Sequence, residues 1–120
     1  MPVDPTGNAP SPNWVSNVAD NPKAQQIDRF LTTNNIGMMK ATPLQQEPKL
    51  PNATEVPLDP IYSFMTDIQI DNGAPYKIDY PKRTAFVNEK TQEFFLKVEE
   101  TYDRADYKNK NFWFGPYQLT

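Results

Sequence analysis

The chain has 120 residues, with 12 Lys and Arg against 15 Asp and Glu, a net charge of −3, and neither cysteine nor histidine. Those absences exclude disulfides, thiolate nucleophiles, Cys/His zinc sites and histidine-based triads, and a pI near 4.8 argues against direct nucleic-acid binding. Thirteen prolines against four glycines, with mean hydropathy −0.74, restrict regular structure, whereas 12% aromatic content and low net charge separate the chain from disordered sequences.

Residues 1–21 read as an extended N-terminal arm broken by Pro2, Pro5, Pro10 and Pro12. Its opening "MPVDPTGNAPSP" has no basic region and no apolar core, so no signal peptide is expected. Trp14, Val15 and Val18 are its only sizeable apolar groups, and tryptophan is enriched at interface hot spots. They are candidate partner contacts. Residues 22–40 read as a short helix and turn. Asp20 or Asn21 caps it, Pro22 suits the first helical position, and Ala24, Ile27, Phe30 and Leu31 make one apolar stripe. Asn34, Asn35 and Gly37 supply the stop, and Met38 and Met39 extend the same contact.

Residues 41–60 contain Pro43, Pro48, Pro51, Pro57 and Pro60 and read as an extended linker, because a residue before proline is pushed into β or polyproline conformations. Twenty such residues would reach ~60 Å. Leu44, Leu50, Val56 and Leu58 recur between the prolines as pegs for a partner surface. Pro48 and Pro51 match a PxxP ligand only formally, and "NAT" at Asn52 matches a glycosylation sequon without a secretion signal to support it.

Residues 61–120 read as a small module. Tyr62, Phe64, Thr66, Ile68 and Ile70 alternate with polar residues, "DNGAP" turns the chain, and Tyr76, Ile78 and Tyr80 return. That is a β-hairpin, which alone would be marginal in water. A helix over residues 88–106 is expected to cover it, with Asn88 as N-cap and Phe94, Phe95, Val98 and Tyr102 as its apolar stripe. The tail adds Phe112, Trp113, Phe114 and Tyr117, which either close over the hairpin or plug a neighbour. The expected fold class is thus α+β with large extended and irregular content.

Candidate chemistry is thin. Asp67, Gln69, Asp71 and Gly73 fail the calcium-loop spacing. Glu99, Glu100, Asp103 and Asp106 form an acidic cluster better explained as a solvated face than as paired catalytic carboxylates. With three serines and no histidine, hydrolase arrangements lack their base. Lysines among the aromatics of "YKNKNFWFGPY" could stack on bases, but one such segment in an acidic chain is a weak signal. The sequence therefore leads to a non-enzymatic protein without cofactor or metal, and without a membrane span. Its partners would be protein subunits of one large assembly. A minor virion protein of the capsid cement or head-to-tail connector type comes first. An accessory subunit of a cellular complex, or an adaptor that folds on binding, follows. The location is then the virion, otherwise the cytoplasm. On this reading the isolated chain is weakly structured, with protection confined to about residues 62–102.

Overall fold

The computed structural model describes residues 16–34, 36, 43–60, 64–68, 76–78, 81–99 and 111–119. They contain helix α1 (Pro22–Thr33) and strands β1 (Thr54–Pro57), β2 (Phe64–Ile68), β3 (Tyr76–Ile78), β4 (Lys82–Asn88), β5 (Glu93–Glu99) and β6 (Asn111–Gln118). Strands β1, β4, β5 and β6 lie side by side in that order in one antiparallel sheet. Strands β2 and β3 pair antiparallel as a separate hairpin, with an irregularity in register between Phe64 and Ile68.

Helix α1 forms as its local signals dictate. The Asn21 side chain accepts a hydrogen bond from the Ala24 amide, Pro22 occupies the first turn, and Asn34 closes the other end. Ala24, Ile27 and Leu31 are buried, and Phe30 packs against the same core. Their three- and four-residue spacing places them on one side of the helix, against the sheet.

The sheet alternates as a half-covered sheet should. Cross-strand partners Val56 and Ala85, Ala85 and Leu96, Val87 and Phe94, Val98 and Phe112, and Leu96 and Phe114 lie on the face that α1 covers. Phe30 meets Phe94 edge-on at 5.6 Å between ring centroids, and Tyr117 lies 5.3 Å from Phe94 and 6.3 Å from Phe30. Between Phe94 and Leu96 the register of β6 shifts by one residue, so Gly115 and Pro116 bulge opposite Phe95. Gly115 has φ +128°, and a β-carbon there would lie 3.1 Å from the Phe95 ring and 3.2 Å from the Phe94 carbonyl oxygen. Glycine is required at that point.

Two expectations are corrected. Residues 93–99 are a strand rather than part of a helix over 88–106. The expected stripe of Phe94, Phe95, Val98 and Tyr102 leaves out Leu96, which is fully buried and alternates with Phe94 and Val98, and Tyr102 lies outside the described residues. Asn88 does use its side chain as a cap, accepting from the amides of Lys90 and Thr91, but the capped unit is a hairpin loop. Asx turns and helix N-caps use the same bond, so the residue type cannot distinguish them. The loop closes with Gln92 at φ 60° and its amide on the Asn88 carbonyl, 2.7 Å away.

The second correction concerns residues 41–60, read as a linker. Thr54–Pro57 is an edge strand of the sheet, and Val56 and Leu58 are 4% and 2% exposed in the core. Pro57 is tolerated because β1 pairs on one side only. The aromatic tail is likewise strand β6. The expected turn at residues 71–75 and residues 100–106 of the expected helix lie outside the described residues, as do Met38 and Met39.

Candidate functional site

With one sheet face closed by α1, the residues of opposite phase decide what the other face offers. These are Glu55 and Pro57 on β1, Lys82, Thr84, Phe86 and Asn88 on β4, Glu93, Phe95, Lys97 and Glu99 on β5, and Asn111 and Trp113 on β6. One end is charged. Glu99 lies 3.8 Å from both Lys82 and Lys97, at distances that contribute little in solvent. The other end is aromatic. Phe86 and Phe95 oppose one another across β4 and β5 and are half-buried, and Phe86 meets the Trp113 ring at 4.9 Å between centroids. The Lys97 ammonium stands 5.7 Å from the centre of the Trp113 ring, within cation–π range.

Residues 44–53 run over this face. They start at the β6 edge, where the Leu44 amide donates to the Trp113 carbonyl at 2.7 Å. They end in a turn, Ala53 amide to Leu50 carbonyl at 3.4 Å, that feeds β1 on the far side of the sheet. Prolines 48 and 51 suit this extended path. Between residues 49–53 and the side chains of Phe86, Asn88, Glu93 and Phe95 lies an open groove of about 340 Å³. Lys49 and Glu93 give its walls opposite charges, and Leu50 is its half-buried aliphatic group.

The residues expected to meet a partner are distributed unevenly over this architecture. Trp14 and Val15 lie outside the described residues. Val18 packs against the protein's own core. Val56, Leu58, Phe112 and Phe114 are core residues, and Tyr117 is half-buried against Phe30 and Phe94. Burial raises the Tyr117 phenol above its ordinary value of 10. Leu44, 37% exposed, meets the buried Trp113 through its amide, whereas Leu50 lines the groove with Phe86 and Phe95. Phe86 carries no local motif in the sequence, and Phe95 fits the expected helical stripe. Their shared signal is phase: both fall out of step with the buried Ala85, Val87, Phe94 and Leu96.

A second unforeseen feature is polar. Arg83 is 2% exposed among core residues, and its Nε and Nη2 both donate to the Asp59 carbonyl. Asp28 on α1 lies 3.8 Å away. Burial lowers the Arg83 guanidinium from its ordinary range to about 10, against the opposing pull of Asp28 and Asp59. Among the described residues there is no group of three or more metal-ligating side chains, and no helix is long and apolar enough to cross a membrane. Glu99 belongs to the charged ladder above, while Glu100, Asp103 and Asp106 lie outside the described residues. No protein-family model, curated protein or solved structure matches the chain.

Proposed function

We propose that this chain is a non-enzymatic structural component of a large protein assembly, a small sheet module docking on neighbouring subunits through the aromatic half of its second face. The observation that carries this reading is the Phe86, Phe95 and Trp113 group, on the face opposite α1 and bordered by the extended segment 44–53. The half-buried Phe86 and Phe95, backed by the buried Trp113 and beside a groove with a charged rim, have the anatomy of an interface centre. The exposed Leu44 extends the apolar area at the β6 edge.

A minor virion protein, of the cement or head-to-tail connector type, is the assembly class that suits a small module carrying long proline-rich stretches. This choice rests on architectural analogy. The virion is then its location. An accessory subunit of a cellular complex would use the same surface, in the cytoplasm. An adaptor that folds only on binding is less favoured, because α1, β1, β4, β5 and β6 already share one apolar core. The partners are protein subunits of the same assembly, without direct nucleic-acid contact.

The test is incorporation. Phe95→Asp in the full chain should retain the wild-type circular dichroism spectrum and be lost from the purified particle or complex at least about tenfold, the scale of one interface hot spot. A folded Phe95→Asp protein incorporated at wild-type stoichiometry would overturn the docking surface. Free exchange of the wild-type chain out of the assembly would overturn the structural role.

A further inference from the structure

The polar group around Asp59 has a hierarchy with a functional consequence. Asp59 directly follows the core residue Leu58 and uses its two ends differently. Its main-chain carbonyl accepts from Nε and Nη2 of the buried Arg83. Its carboxylate faces the N-terminal segment, accepting the Ser16 hydroxyl on Oδ2 and the Asn17 amide on Oδ1. Asn17 Nδ2 adds a bond to the Leu58 carbonyl at 3.1 Å. These contacts join positions more than 40 residues apart in the chain.

The segment they hold is a compact local unit. Ser16 Oγ also accepts from the amides of Val18 and Ala19, at 3.0 and 3.1 Å. Gln25 Nε2, on α1, donates to the carbonyls of Val18 and Ala19, and the Asn21 amide donates to Val18. Residues 16–20 therefore form a hydrogen-bonded turn leading into the helix. Its only apolar side chain against the core is the half-buried Val18. A unit with so little buried apolar area is held mainly by polar contacts, which local openings break first.

We propose that Asp59 is a releasable clasp for the N-terminal segment, with Arg83 as its fixed anchor. Because Arg83 grips the main chain of Asp59, opening the carboxylate contacts to Ser16 and Asn17 does not break either Arg83 hydrogen bond to that carbonyl. The clasp thus opens without unfolding the sheet. Closed, it holds Ser16 and Asn17 beside the Leu58–Arg83 contact, where the Leu58 amide donates to the Arg83 carbonyl at 3.0 Å. Open, it frees residues 16–20 from the Asp59 carboxylate. The device decides whether residues 16–20 belong to the folded body.

Amide hydrogen exchange on the full-length chain tests this, with Asp59→Ala and Arg83→Met compared with wild type. For Asp59→Ala, exchange at Asn17, Val18 and Ala19 should rise by about tenfold or more, the scale of losing hydrogen bonds to a charged group. Amides of Ala85, Val87, Leu96 and Val98 should keep wild-type rates. Ser16→Ala removes the clasp from the other side and should act in the same direction. Arg83→Met, which empties the anchor, should speed exchange across β4 and β5 as well. If Asp59→Ala leaves residues 17–19 unchanged, or loosens β4 and β5 to the same degree, the clasp does not exist as a separate device. Should Asp59→Ala fail to fold, while Ser16→Ala leaves the turn protected, the same conclusion holds.

Discussion

Among the described residues, Gly115 is a position where the identity of a single residue is tightly constrained. Its φ of +128° and the Phe95 ring 3.1 Å from a notional β-carbon penalise any side chain twice. Gly115→Ala should therefore cost about 1–3 kcal/mol of stability, read as a lower urea midpoint at unchanged slope. Tyr117 and Arg83 set the alkaline behaviour, with opposite signs. Burial raises the Tyr117 phenol above 10, so its contribution is complete below pH 10 and is lost as pH rises through the raised value. Arg83 is lowered to about 10, so the fold disfavours its charged form, and stability from this group grows only above that pH. Tyr117→Phe should remove part of the stability loss above about pH 10, followed by urea melts at rising pH. The wild-type minus variant absorbance at 295 nm should titrate later than a free tyrosine. A difference spectrum that titrates at 10 would mean the phenol is not held by burial.

At the scale of elements, residues 93–99 show how one set of residues supports two periodicities. Phe94, Phe95 and Val98 fit a helical stripe, whereas Phe94, Leu96 and Val98 fit a strand, and only the partner decides between them. Strand β4 supplies that partner in full register, from Lys82 with Glu99 to Asn88 with Glu93. Leu96→Ala is the discriminating substitution. In the strand it empties a fully buried site and should cost about 2–5 kcal/mol. On the helical stripe first drawn, Leu96 lies outside the apolar set and the change would be close to neutral. Helix α1 behaves differently, because its cap, its first-turn proline and its stripe agree with one another. Asn21→Ala should cost about 1 kcal/mol, measured as a shift in the melting midpoint.

For the whole molecule, the decisive feature is that Val56, Leu58, Phe112 and Phe114 share a core with α1. The isolated chain should accordingly melt cooperatively, with slow amide exchange at residues 54–58, 84–87, 94–98 and 112–114. That differs from the weakly structured monomer expected when the proline-rich stretch is read as a linker. Exchange at residues 54–58 as fast as in an unfolded peptide would show that β1 does not belong to the folded body. The docking reading belongs at this scale too. The second face exists only once β4, β5 and β6 are aligned, so no single segment announces it. Phe86, Phe95 and Trp113 are distant in sequence and become one surface through register alone.

The local elements were legible. Asn21, Pro22 and the stripe from Ala24 to Leu31 specify α1 by short-range rules, and alternation around Phe64 and Tyr76 specifies the hairpin of β2 with β3. The exclusion of cysteine and histidine chemistry was equally plain from composition. What tertiary structure alone decided was pairing: that a four-residue piece between prolines becomes an edge strand, that 93–99 is β rather than α, and that Arg83 is buried over Asp59. Short-range preferences differ by about 1 kcal/mol or less per residue, while burying a large apolar side chain is worth about 1.5–3 kcal/mol. Where the two disagree, the contact with a distant strand prevails, and that contact is a property of the assembled sheet.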